Sequence, residues 1–504
     1  MSRPDLLSFA FLATSLASSA GAAAPSRCDR ILHQLSSQLA EVTCFESSDL
    51  TTNNPSTTPP DNSLPGLPAG AFTPRTDRAV LVAAPPRGTP ITKAVPGIQV
   101  QARMADDPTG EARFLLRLPD DWNGRLVVAG ASSQRSEFNG DFAWSDYVVQ
   151  KGYAYASQNK GVLNFRVVAV GANPPARDPL ACRLNPSSTV WIHFYDDDPA
   201  QPFTRWAQFM IEAATVAQQG VHARYGHPPR FTYAVGTSNG GYQVRRAVEL
   251  APELFDGGVD WEGTYVDAGA PNLLTDLPPA VLNWPDYVAS GFSETSTAFK
   301  NFLAAGYPPD VVKSTSTGTD SLWTHHWASY WELTECQWQK RVDPTYDTYG
   351  SGTASYNYLA RLSVSDVGAQ LAAFATTGQI RRPLVTVAGT MDALLPIDHH
   401  ARAYARKVAA ALAERGPSAG RDDAGKPAPA YRLYEVQNGN HIESYADLFP
   451  RLQLILPHAH DAFDLLVAHV ESGAALPPDQ CVPEGGVIAG SPSQPGHCTA
   501  LFVP

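Results

Sequence analysis

The segment from Phe231 to Leu250, FTYAVGTSNGGYQVRRAVEL, is a short apolar run that breaks at Gly236-Thr237-Ser238-Asn239-Gly240 and resumes as an amphipathic helix. A strand that turns straight into a helix brings neighbouring backbones too close for most Cβ atoms, so small residues must flank the turning residue. The residue at the apex then stands clear of the sheet edge. Ser238 is accordingly the candidate nucleophile, and the stretch reads as a nucleophile elbow. The pentapeptide alone also fits an ordinary turn, so the rest of the chain has to supply what an activated serine requires.

A serine hydroxyl attacks only when a base removes its proton, and in this arrangement an acid and then a histidine follow the serine along the chain. The run Pro383 to Gly389 has a buried-strand pattern and delivers Thr390-Met391-Asp392 just beyond its end. Asp392 is the candidate acid. A carboxylate after the preceding strand is the alternative, which nominates Asp260, Glu262 or Asp267, with Asp267 as the reserve. Tyr431 to Val436 alternates like a strand, breaks at Asn438-Gly439-Asn440 and presents His441, the candidate base. His399, His400, His458 and His460 fall in helical stretches instead.

The anion that forms when a serine adds to a carbonyl needs N–H donors, one from the residue after the nucleophile and one from a loop after an early strand. Asn239 fits the first. Ala131 and Ser132, in the small-residue segment that leaves the strand Arg125 to Ala129, are candidates for the second, although such residues are also plain turn formers.

Composition bounds the alternatives. With 504 residues and 43% apolar content, the chain can bury a large core with an inserted second unit. A formal charge of -12 argues against nucleic acid as partner. Residues 1–24 read as a signal peptide, with an apolar run from Leu6 to Ala17 and a small-residue cleavage site, which implies a secreted or periplasmic protein without a membrane anchor after cleavage. Six cysteines suit an oxidising compartment. Apolar residues at helical spacing predict a helix over 29–42, which would hold Cys28 and Cys44 roughly 24 Å apart and send each to a distant partner. Cys481 and Cys498 flank a loop that can close on itself. No CxxC or Cys-His spacing is present, so no metal is expected; Asp196-Asp197-Asp198 reads as a solvated loop.

Residues 25–66 are expected to form the N-terminal helix and then, from residue 47, an extended Ser/Thr/Pro-rich connector over the surface. Strand-like runs at 79–83, 98–102 and 112–117 suggest an antiparallel start, followed by parallel strands at 125–129, 153–157, 231–235, 256–260, 384–388 and 431–436. This predicts an α/β-hydrolase fold with a mostly parallel sheet, its core divided into residues 67–266 and 382–472, and a Cys-containing tail over 473–504. The interval 267–381 is too long for one crossover and reads as an inserted lid. Five of the ten tryptophans lie there, and Trp323, Trp327 and Trp331 recur every four residues on one expected helical face. They are read either as a stripe packing the lid onto the body or as an aromatic wall over Ser238 that binds substrate. Arg245-Arg246 and His325-His326 are read as packing or surface residues.

Leu118-Pro-Asp-Asp-Trp122-Asn-Gly124, Gly152-Tyr-Ala-Tyr-Ala156, the elbow and Gly389-Thr-Met-Asp392 together resemble the secreted tannase and feruloyl esterase family, over roughly residues 65–265 and 380–450. Proteins of that shape include hydrolases of 3-hydroxybutyrate oligomers and of aromatic polyester fragments. The resemblance therefore implies ester hydrolysis without a cofactor, on a small or oligomeric ester. Family members typically carry a cysteine before the serine and another after the histidine, where this chain has Thr237 and Ile442. The Asp-rich calcium loop common in the family's lid is also missing. A serine peptidase of the same fold and a non-catalytic binding protein are the alternatives.

Overall fold

The computed structural model describes residues 26–58, 89–132, 136–162, 166–174, 176, 178–193, 203–346, 356–415 and 425–504. The expected signal peptide, the strand at 79–83 and Asp196 to Asp198 lie outside the described residues.

The strands in the first half of the chain are β1 (Leu39–Ser47), β2 (Gly97–Met104), β3 (Arg113–Pro119), β4 (Arg125–Gly130), β5 (Ala154–Gln158), β6 (Arg166–Val170), β7 (Cys182–Arg183), β8 (Val190–His193) and β9 (Phe231–Thr237). They are followed by β10 (Gly257–Trp261), β11 (Val312–Thr315), β12 (Gly318–Ser321), β13 (Leu384–Gly389), β14 (Tyr431–Val436) and β15 (Gln480–Val482). Ten of them form one sheet in the order β1, β2, β3, β5, β4, β9, β10, β13, β14, β15. The pairs from β1 to β5 are antiparallel. From β5 onward every neighbour is parallel.

The central strands carry apolar residues on both faces because both faces are covered by helices. In β4, Leu126 and Val128 pack into a core with Met210 and Val244 of the helices Thr204–Tyr225 and Asn239–Leu250. Val127 and Ala129 point the other way, toward Trp144 and toward Phe463 of the helix Leu456–Ser472. The period-two split repeats in β13, with Leu384 and Ala388 on the first face and Val385 and Val387 on the second. This is the α/β-hydrolase fold. The strands expected between residues 98 and 436 fall within about two residues of those found.

Two expectations near the N-terminus fail. The predicted helix over 29–42 stops early: a helix spans Arg27–Leu35, opened by a capping box between Ser26 and Asp29, and the chain then reverses into β1. Leu39 and Val42 fit a helical period, but pairing with β2 across the sheet edge outweighs it, with an irregularity between Ala40 and Thr43. The reversal brings Cys28 and Cys44 together as a disulfide with Cα atoms 5.8 Å apart. The expected surface connector is also partly internal. Leu50, Thr51 and Thr57 are fully buried, and the Thr57 carbonyl accepts a hydrogen bond from Arg117, itself paired with Asp141 in the interior.

Between β10 and β13 the chain builds a separate aromatic core from helices including Pro278–Ala289, Thr297–Ala304, Leu322–Ser329 and Trp331–Val342. This unit draws on more than the expected interval. The small sheet β6-β8-β7 is tied to it by the disulfide Cys182–Cys336, and Phe203 and Trp206 pack into the same core. The third disulfide joins Cys481 and Cys498.

Trp323, Trp327 and Trp331 do not share one helical face, because the helix breaks at Tyr330 and Trp331 opens the next one. Trp323 and Trp331 are fully buried, Trp323 stacking on Phe302, and Trp331 donates its indole N–H to the Ala393 carbonyl at 2.7 Å. Trp327 is half-buried and stacks on Trp284. Trp323 and Trp331 therefore follow the packing reading and not the aromatic wall: both hold the inserted unit together, and Trp331 anchors it to the loop after β13. Trp331→Ala should lower stability by about 3–5 kcal/mol, as expected for an emptied large aromatic site, measured as a drop in the denaturant midpoint.

Candidate active site

The carboxyl ends of β9, β10, β13 and β14 converge on one point. At the end of β9, Ser238 has φ 58° and ψ -121°, a conformation that L-residues rarely adopt and that the surroundings must enforce. Its N–H donates to the Trp261 carbonyl of β10 at 2.9 Å. Behind it, a Cβ on Gly240 would meet the Gly130 carbonyl at 2.6 Å, and one on Gly236 would overlap the Gly240 carbonyl. The elbow is thus pressed against the end of β4, which is why glycine stands at all three positions.

A second close approach unites the other loops. A Cβ on Gly389 would overlap the Gly439 carbonyl, and Met391 donates its N–H to that carbonyl at 2.7 Å. The segment Thr390 to Asp392 is thereby laid beside Asn438 to His441. Asp392 Oδ1 accepts N–H bonds from Leu394 and Leu395 at 2.8 and 2.7 Å, leaving Oδ2 for the Nδ1–H of His441 at 2.7 Å. His441 Nε2 lies 3.0 Å from Ser238 Oγ, in position to take its proton. Ser238, His441 and Asp392, the three residues singled out in the sequence, form one hydrogen-bonded chain.

Burial opposes charge on the His441 ring, but the Asp392 carboxylate, through its charge and its hydrogen bond, outweighs it, and the imidazole is held up at about 9. Glu262 follows β10 directly, and its Oε2 lies 3.6 Å from the same Nδ1. Asp260 instead pairs with Arg245 at 2.6 Å, and the reserve Asp267 with Lys407 at 2.7 Å, so neither of these two alternatives meets the histidine. Glu262, Asp392 and His441 are the one group of ligand-type side chains clustered within 4.8 Å among the described residues. With Nδ1 already committed to Asp392, they form a hydrogen-bonded pair with an extra carboxyl rather than a cage for an ion.

The candidate oxyanion donors sit beside the elbow, with differing freedom. Asn239 begins the helix after Ser238, and its side-chain carbonyl accepts the Thr264 hydroxyl. The Ala131 N–H is taken by Gln243 Oε1 at 2.9 Å in the interior. The Ser132 N–H rests on Asn139 Oδ1 at 3.0 Å. Lys160, missed in the sequence, is buried at φ 64° and donates to the carbonyls of Ala131 and Ser132, fixing both peptides. No periodicity marks it; only its place just beyond β5 brings it here. His326 of the inserted unit, read as a packing residue, is fully buried, with Nε2 3.4 Å from the Asn440 amide, and burial holds it neutral, near 3.

The C-terminal segment buttresses these loops from behind. Asn438 exchanges two 2.8 Å hydrogen bonds with the Val503 backbone, Gln437 donates to the Ala500 carbonyl, and Thr390 donates its hydroxyl to the Leu501 carbonyl. The segment is held in turn by the disulfide at Cys498 and by Glu435, which accepts the Cys498 N–H.

Residues 354–500 match a family described as 3HB-oligomer hydrolase, a span that includes Asp392 and His441. D-(-)-3-hydroxybutyrate oligomer hydrolase of Burkholderia thailandensis is 34% identical over 119 residues, 22% of this chain and 15% of the relative. The Burkholderia mallei protein of the same name is 34% identical over 118 residues, again 22% and 15%. The chain thus aligns with about 15% of the length of these curated relatives. Among solved structures, feruloyl esterase B from Aspergillus oryzae is similar with a TM-score of 0.44, at 13% identity, covering 87% of this chain and 88% of its own. Tannin acyl hydrolase from Aspergillus niger gives 0.41 at 12% identity, covering 86% and 83%.

A serine in this setting should react with a fluorophosphonate. Mass spectrometry of the labelled protein is expected to find the adduct on Ser238, and His441→Ala should prevent it. Deleting residues 499–504 should slow labelling about tenfold or more by loosening the acid and base loops, since small misplacements of reacting groups carry such losses.

Proposed function

We propose that this protein is an exported serine hydrolase of carboxylic esters, acting on oligomers of short hydroxyacids of the 3-hydroxybutyrate type. The observation that carries the reading is the hydrogen-bonded chain from Asp392 through His441 to Ser238 at the strained elbow. The match of residues 354–500 to the 3HB-oligomer hydrolase family supports the substrate class. Three disulfides support an oxidising compartment.

In the proposed reaction, His441 Nε2 takes the Ser238 proton as Oγ attacks the ester carbonyl, and Asp392 stabilises the imidazolium that results. The oxyanion is received by the Asn239 N–H and by the Ser132 N–H, which the Asn139 side chain gives up to it. Ala131, with its N–H spent on Gln243, serves as a spacer. His441 then protonates the departing hydroxyl end of the oligomer, leaving an acyl-serine. Water, deprotonated by the same imidazole, attacks the acyl group and frees the acid. Every proton moves between Ser238, His441, substrate and water, so the cycle needs no cofactor. The inserted unit acts as a lid: it reaches the site through His326 and is anchored by Trp331 on Ala393.

The test is acid release from 3-hydroxybutyrate oligomers, aromatic esters and matched peptides. Oligomers should be cleaved fastest, and Ser238→Ala should lower kcat/KM by at least about a thousandfold. Faster cleavage of peptides than of esters would overturn the reading. Because the base must be neutral to accept a proton, kcat/KM should be low in neutral solution and rise with pH as His441 loses its proton, with a midpoint near its pKa of about 9.

A further inference from the structure

Glu262 stands where a solvent-facing turn residue would be expected, yet its side chain is 1% exposed. It adopts φ 51°, an unusual conformation for a residue other than glycine, just past the end of β10. Its backbone N–H donates to the Val387 carbonyl of β13, and Oε1 accepts the Gly389 N–H at 2.9 Å. These contacts account for one oxygen. Oε2, 3.6 Å from His441 Nδ1, has no hydrogen-bond partner among the described residues. A buried, unpaired carboxyl oxygen is costly, and more so when the group is charged, which favours the protonated form of Glu262 beside the imidazole.

The two carboxyls approach Nδ1 from neighbouring parallel strands, Glu262 from β10 and Asp392 from the loop after β13. Either strand end can therefore orient the same histidine. Resting on the hydrolase reading above, we propose that Glu262 is a second positioning acid for His441: it bears the proton while Asp392 is ionised, and it takes over the Nδ1–H when Asp392 loses its charge. The proton balance is simple. Two carboxyls in one buried space hold one proton between them, as like charges at this range resist joint ionisation. Burial, and then the Asp392 charge, hold the Glu262 carboxyl well above the usual range. The other ionisable groups facing it are His441 and Glu443, the latter engaged by the Ile455 and Leu456 N–H groups.

The experiment compares kcat/KM on a 3-hydroxybutyrate oligomer, over neutral to alkaline pH, for the full chain and for Ser238→Ala, Asp392→Asn, Glu262→Gln and the double variant Asp392→Asn/Glu262→Gln. Where a lone triad acid is converted to its amide, losses of about ten-thousandfold are known. Here Asp392→Asn is expected to lose only about a hundredfold, with the remaining activity rising with pH as Glu262 ionises. The double variant should lose roughly another hundredfold and that rise as well. Glu262→Gln alone keeps the Gly389 acceptor and replaces a neutral carboxyl with a neutral amide; it should leave the acid limb of the profile in place and cost a few-fold at most at the plateau. The low-field Nδ1–H proton signal of His441, read by NMR in Asp392→Asn, should persist, and this readout stands even where the double variant does not fold. Equal activity and equal pH profiles for Asp392→Asn and the double variant, or loss of the proton signal in Asp392→Asn, would overturn the role of Glu262. Unreduced activity in Ser238→Ala would instead overturn the hydrolase reading itself.

Discussion

Two close backbone approaches organise this molecule's site. At one, Gly236, Gly240 and Gly130 bring the elbow and the end of β4 to a separation that no Cβ allows. At the other, Gly389 and Gly439 do the same for the loops that carry Asp392 and His441. Ser238, His441 and Asp392 come from three distant parts of the chain, and hydrogen-bond geometry tolerates errors of only a few tenths of an ångström. A rigid parallel sheet whose loops touch through bare backbone meets that requirement. The unfavourable dihedrals of Ser238 and Glu262 persist because these contacts over-determine them.

Charge is handled by the same economy of space. The buried carboxylate of Asp392 is held by two backbone N–H groups and the imidazole, so its burial is matched by hydrogen bonds. Glu262 and His326, pressed into the same volume, are pushed toward their neutral forms. A neutral surround concentrates the interaction between Asp392 and His441, because fewer competing charges screen it.

Support for the site is remote in sequence. The C-terminal segment around Ala500 to Val503 braces the loops that carry Asp392 and His441, and the Cys481–Cys498 disulfide with Glu435 holds that segment. Beside the serine and the histidine this chain has Thr237 and Ile442 rather than cysteines, and the tail braces the loops from behind. The aromatic interior of the inserted unit does corresponding work above, with Trp331 bonded to the loop that follows Asp392.

By itself the sequence determined the central strands, the elbow and the order of serine, acid and histidine, because each rests on local chemistry: apolar runs, glycines at a tight turn, polar residues just past strand ends. It nominated Glu262 among other acids after β10 without separating it from Asp260 and Asp267, since three carboxyls within eight residues differ only in where their side chains end up. Tertiary structure decided that question, turning Asp260 to Arg245 and Asp267 to Lys407 and leaving Glu262 at the histidine. It also decided against a long first helix, since β2 offers Leu39 to Ser47 a strand edge that no periodicity announces, and that pairing closed the Cys28–Cys44 bond. The tryptophans followed the same rule: a spacing of four names a face only while the helix continues, and a break at Tyr330 sent Trp323 and Trp331 into the interior. Residues whose roles depend on neighbours close in sequence were legible; those whose partners arrive from distant segments, Lys160 and His326 among them, were not.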